Sequence, residues 1–180
     1  VKRIEKLSDN QTELGDQIVS SARRELLGDP YVLPNGWQDK RLDELADVIY
    51  GISAAISKNK DPKIGPPIVR MANMSLDGHL DLSDLRYCPI PAGRENHFAL
   101  KPGDLLLKWR SGSAAHIGKT ALFNEKGLYT CASFILRIRS KEGLCNNRFL
   151  RHMLNHLRVE GIFAGNSRMQ INHKLNAKEF

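Results

Sequence analysis

The chain is poor in the features that mark several large protein classes. Its three cysteines, Cys88, Cys131 and Cys145, are odd in number and far apart, which argues against a disulfide framework or a zinc ribbon and points to a reducing, cytoplasmic setting. No run of 18 apolar residues occurs, so no membrane span is expected, and no charged-then-apolar leader stands at the front. Internal repeats and low-complexity tracts are absent too. What is present is a hydrophobic content of 41% in 180 residues, enough for a globular core in one domain of about 100 to 150 residues plus an appendage.

Catalytic motifs are also missing, although one stretch imitates them. Leu105 to Phe123 reads LLLKWRSGSAAHIGKTALF, an apolar run that breaks into a Gly/Ser loop and ends in Gly-Lys-Thr. A phosphate loop needs Gly, four residues, then Gly-Lys-Ser/Thr, so that successive N–H groups curl around the phosphates at the start of a helix. Here five residues separate Gly112 from Gly118, Ser113 stands where the first Gly belongs, and a turn at Asn124 to Gly127 leaves no room for that helix. His152 and His156 have zinc-protease spacing, but Met153 replaces the general base and no third ligand is near. A solvated helix face is the expectation there. Asp61-Pro62-Lys63 lacks the spaced acids of a nuclease, and Gly65-Pro66-Pro67-Ile68 lacks the aromatic that stacks on a flipped base. Neither a metal nor a cofactor is expected.

Charge is where the chain is rich. Of the 27 Lys and Arg, residues 101 to 180 hold 14 against 5 acids, while residues 1 to 36 hold 5 against 6 and residues 37 to 100 hold 8 against 9. A basic excess confined to one part of the chain is the footprint of a polyanion-binding face. Ile4, Leu7, Leu14, Ile18, Ala22 and Leu26 form a narrow apolar stripe on a helix over residues 2 to 27, stopped by Gly28-Asp29-Pro30. So narrow a stripe is expected to pack on another helix or on a partner. Leu42, Leu45 and Val48 or Ile49 suggest a short helix, and residues 51 to 67 read as a long exposed loop. Strands are expected at Ile68 to Met74, Asp104 to Trp109, Ile117 to Phe123 and Tyr129 to Arg139, the last alternating and exposed at its C-terminal end. A second clear helix is expected over Asn147 to Val159. The class is α+β.

Five segments taken together resemble the target-recognition domain of the specificity subunit of Type I restriction-modification enzymes. LPNGWQDKRLDELADVIYG is similar to that family's opening, IVRMANMSLDGHLDLSDLRY to its next block, and LKPGDLLLKWRSGSAAHIGKTALF to its Gly-Asp strand, loop and Gly-Lys strand. YTCASFILRIR with the Phe149 to Leu157 helix follows in the family's order, and SRMQINHKLNAKEF is like its closing Gln-x-Asn strand. The resemblance covers residues 33 to 180. It implies a β-rich recognition domain preceded, over residues 1 to 32, by a long helix from a coiled-coil-like spacer.

The implied role is non-catalytic. In such enzymes the specificity subunit grips double-stranded DNA, while methyltransferase and motor-nuclease restriction subunits do the chemistry at a bipartite target. A complete subunit has two recognition domains and two long helices, so one of each implies a fragment or a half-subunit that self-associates. DNA contacts are expected from Lys58, Lys60 and Lys63 on the long loop, from Arg70 and Asn73, and from Lys108, Arg110, Ser111, Ser113, His116 and Lys119. Arg168, Gln170, Asn172 and Lys174 complete the set. Arg and Lys reach guanine edges or phosphates, Asn and Gln suit adenine, and Ser serves either. Ile4, Leu7, Leu14 and Ile18 are the expected docking residues. Two other readings stay open: a nucleic-acid enzyme or nucleotide hydrolase using Gly118-Lys119-Thr120, and a protein-docking module with incidental charge.

Overall fold

Lys2–Leu27 form one helix, α1, in a computed structural model that describes residues 2–53, 59–165, 168–169 and 173–174. Gly28 ends it. A φ of +71° puts that residue in the left-handed region that glycine enters freely, and its N–H donates to Arg24 O at 3.0 Å. Asp29 then turns the chain, its carboxylate accepting from Tyr31 N at 2.9 Å. Leu14 and Ile18 are exposed at 57% and 61%. The side chains of Ile4 and Leu7 lie outside the described residues. By its internal contacts the chain divides into two units, Val1–Asp39 and Lys40–Phe180.

The second unit is α+β. Its strands are β1 Ala46–Tyr50, β2 Pro67–Val69, β3 Arg86–Tyr87, β4 Leu105–Lys108, β5 Arg110–Ser111, β6 Thr120–Leu122, β7 Thr130–Cys131, β8 Ile135–Ser140, β9 Arg168–Met169 and β10 His173–Lys174. The helices are α2 Leu42–Leu45, α3 Glu95–Phe98, α4 Asn147–Val159 and α5 Ile162–Gly165. The main sheet is antiparallel in the order β1-β8-β4-β6, with Leu107 opposite both Leu136 and Thr120. A second sheet, β3-β2-β7, pairs β2 antiparallel to β3 and parallel to β7. A third small ladder runs β5-β10-β9.

The main sheet is covered on both faces, which explains why Leu105-Leu106-Leu107 is continuous rather than alternating. Leu105, Leu107, Leu136 and Ile138 pack on Leu150 and Leu154 of α4 and Phe163 of α5. Leu106, Ala121 and Ile135 pack on Val69, Met74, Leu100 and Phe123. Each buried leucine contributes about 1.5 to 3 kcal/mol by leaving water.

Helix α4 spans the expected residues. Asn146 caps it, its Oδ1 accepting from Arg148 N at 2.9 Å and Phe149 N at 3.2 Å. Elsewhere the chain departs from the sequence reading. The helix at Leu42 stops at Leu45, because β-branched Val48 and Ile49 with Tyr50 join the sheet edge as β1 instead. The strand expected from Ile68 ends at Val69 and gives way to a 3-10 turn at Met71–Asn73. The expected single strand over 129 to 139 is two, since a turn at Ser133 and Phe134 carries the chain from the second sheet into the main one. His156, expected on a solvated face, is buried at 2% exposure and lies 4.0 Å from the Glu160 carboxylate, whereas His152 is exposed.

Candidate nucleic-acid interface

The Gly-Lys-Thr stretch is built into the frame. Lys108 N donates to Lys119 O at 2.9 Å and Gly118 N to Lys108 O at 2.8 Å, closing a loop over residues 109–117 that contains the 3-10 turn Ala114–His116. Gly118 has φ +79°, and a Cβ there would overlap the Phe163 ring, so glycine is required twice over. Lys119 Nζ donates to the Met74 carbonyl oxygen. Thr120 opens β6, donating from Oγ1 to Gly118 O at 3.0 Å, and its carbonyl accepts from Asn155 Nδ2 at 2.9 Å. A strand follows the lysine where a phosphate loop would need a helix.

Helix α4 ties this loop to a neighbouring one. Arg151 Nη2 donates to Asp77 O at 3.4 Å and Gly78 O at 3.3 Å, and Arg158 donates to Ala115 O at 3.4 Å and Leu76 O at 3.3 Å. Lys108, His116, Lys119 and Arg158 are thereby gathered at one place. Lys108 and Lys119 are only 8% and 5% exposed. Burial lowers the pKa of both. For Lys119 the nearby charges of Lys108 and Arg158 lower it further, and Asp77 acts the other way. His116 is lowered by burial, then by Lys108, Lys119 and Arg158.

Beside the loop stands an aromatic group. Trp109 Nε1 donates to Ser133 O at 2.6 Å, and its ring meets Tyr50 edge-on at 5.1 Å and Phe134 at 6.3 Å. The Arg110 guanidinium lies over the Phe134 ring, 5.0 Å from its centre, a cation–π contact that orients its fork. Through the β5-β10-β9 ladder, Arg110 pairs with Lys174 and Ser111 with His173, while Lys174 pairs with Arg168.

The expected DNA contacts therefore fall into groups. Arg110, Ser111, Arg168 and Lys174 share one ladder, and Ser113 is exposed next to it. Ser111 is buried, its Oγ accepting from Ser113 N at 3.2 Å. Lys60 and Lys63 are exposed near the β3 edge of the second sheet, where Asp61 accepts from Lys63 N at 2.9 Å. Arg70 and Asn73 hold a turn: Arg70 pairs with Asp84 at 3.0 Å, and Asn73 Nδ2 donates to Asp81 O at 2.9 Å. Lys58, Gln170 and Asn172 lie outside the described residues. Arg151, Asn155, Arg158 and Phe134 were not singled out from sequence. The first three recur at helical spacing on α4 and were legible as a polar stripe.

Among the described residues, no group of three or more His, Cys, Asp or Glu could hold a metal ion. All three cysteines are free, with the Cys131 thiol pushed up to about 12 by burial and those of Cys88 and Cys145 also raised by burial. No described helix is long and apolar enough to cross a membrane.

The architecture recurs in specificity subunits. It matches the HsdS subunit from Thermoanaerobacter tengcongensis at 23% identity and a TM-score of 0.59, over 89% of this chain and 38% of that one. It also matches a structure bearing on complex assembly and conformational transition of the type I R-M system, at 22% identity and a TM-score of 0.62, over 88% and 37%. This chain thus spans less than two fifths of either. Residues 34–177 match the family model of the Type I restriction modification DNA specificity domain, and the chain belongs to that family. Comparison with curated proteins gives no match.

Proposed function

We propose that this domain reads double-stranded DNA sequence as part of the specificity subunit of a Type I restriction-modification system, and so directs methyltransferase and restriction subunits to a bipartite target. The observation that carries the proposal is the β5-β10-β9 ladder, which joins two basic segments some sixty residues apart beside an exposed loop. Arg110, held on Phe134, is the base-reading residue, and Lys60 and Lys63 are phosphate contacts. The chain performs no catalytic step of its own and works in the cytoplasm. Fluorescence anisotropy with duplex DNA across a salt series tests this. Neutralising about five phosphates gives a log-log slope near about −4.5, at about −0.9 per contact. A flat salt response overturns the reading in favour of a protein-docking module.

Residues 1 to 32 are proposed as the spacer segment, with the exposed Leu14 and Ile18 stripe meeting either the methyltransferase subunit or a second copy of this chain. Substituting both by Ser is expected to weaken that association while circular dichroism stays unchanged. Equal binding by the folded variant overturns the docking role.

A further inference from the structure

Positive charge is concentrated beside the 109–117 loop. Lys108 comes from the end of β4, Lys119 from just before β6, and Arg158 from α4, with His116 near all three. Among the described residues Asp77 is the acid that acts on Lys119, and it already has the His79 ring at 3.3 Å and a hydrogen bond from Ser75. Lys119 Nζ is held by one carbonyl, that of Met74. The Lys108 ammonium, on a residue more than nine-tenths buried, makes no hydrogen bond or ion pair among the described residues, yet its tip keeps access to solvent. Gathering ammonium groups on largely buried residues, with one of them bonded to no carboxylate among the described residues, is unfavourable unless an anion completes the site.

We propose that Lys108, Lys119 and Arg158, with the His116 ring at the rim, form a seat for one phosphate group. Lysine binds phosphate as a point charge, so two lysines on adjacent strand ends with an arginine from the helix suit a tetrahedral oxyanion better than a lone planar fork would. The exposed Gly112 and Ser113 of the covering loop lie next to Arg110 and Ser111 in sequence. A backbone phosphate of DNA read by that strand is the natural occupant. Its source rests on the DNA-reading proposal; the seat itself does not. The Gly-Lys-Thr stretch then meets a phosphate through a lysine side chain, not through a ring of backbone N–H groups.

The test uses the full chain in two arms. In the first, duplexes carrying one neutral methylphosphonate at a time are scanned against wild type and Lys108→Gln. One position is expected to weaken wild type about tenfold or more, the loss of one charge-assisted hydrogen bond, and to cost Lys108→Gln nothing further. In the second, inorganic phosphate is titrated while the His116 ring signals are followed by NMR, with a saturable shift expected in wild type and none in Lys108→Gln. Lys119→Met, which removes a buried charge, serves if the first variant does not fold. Coupling in the DNA arm alone assigns the seat to a phosphodiester. A response to inorganic phosphate in a chain that binds no DNA keeps the seat and overturns the DNA proposal. DNA binding with neither effect overturns the seat.

Discussion

Arg139 and Lys108 stand at opposite ends of the β4–β8 ladder, and they are neutralised in opposite ways. Arg139 meets Asp104 through two bonds of 2.7 Å and also donates to Ala99 O at 3.0 Å, while Asp104, 1% exposed, accepts in addition from Lys101 N at 2.7 Å. Lys108, 8% exposed, is paired with no carboxylate among the described residues. Where the charge belongs to the frame, the chain supplies its own counter-ion, the Asp104 carboxylate accepting one bond at Oδ1 and two at Oδ2. At the end proposed to read DNA, the described residues pair Lys108 with no counter-ion, as an outside anion would require.

The largest effect that bears on this contrast is expected from Asp104→Asn. It leaves Arg139 without its counter-charge and is expected to lower stability by about 3 to 5 kcal/mol in urea unfolding, the usual cost of breaking a buried pair from one side. The salt slope of DNA binding is expected to stay as it was. Loss of DNA affinity with no loss of stability would reverse the roles of the two ends.

Next comes Arg110→Ala, expected to cost about 1 to 3 kcal/mol in DNA binding and to relax preference at one base position of a randomised half-site library. Uniform loss across sequences makes Arg110 a phosphate clamp, and no loss moves the reading face elsewhere. Lys60→Ala is smaller, weakening all sequences alike and reducing the salt slope by about 0.9. An unchanged slope removes the β3 edge from the interface.

The smallest effect is in pH. Lys119 releases its proton more readily in the folded chain, chiefly through burial, than at the ordinary lysine value of 10.5. Between the lowered value and 10.5 the unfolded chain holds more protons, so stability is expected to rise with pH through that window, and DNA affinity to fall as the charge is lost. Lys119→Met is expected to flatten both trends. Equal pH profiles for the two proteins would mean that Lys119 behaves as an ordinary surface lysine.

Sequence alone carried the parts that rest on local pattern. The helix Asn147–Val159 shows in its own periodicity and cap, and the leucines of β4 in their composition. What stayed hidden depends on distant partners. Nothing around Lys119 announces that its stem runs inward to a carbonyl 45 residues away, and nothing around Asn73 announces its bonds to Asp81 and Asp84. Both look like accessible polar residues until a tertiary contact claims them. The break of the 129–139 stretch escaped notice for a related reason. Alternation continues by residue count through Ser133 and Phe134 even though the chain changes sheets there.

The bonds that Arg151 and Arg158 of α4 make to the two neighbouring loops end on the main-chain oxygens of Leu76, Asp77, Gly78 and Ala115. Every residue type carries that oxygen. The moorings are therefore indifferent to what the loops spell, and Gly112, Ser113, Ala114 and Ala115 are free to be rewritten without releasing the loop from its helix. A domain proposed to distinguish one DNA word from another would gain from such a mount: its vocabulary can be exchanged while its grammar stays fixed.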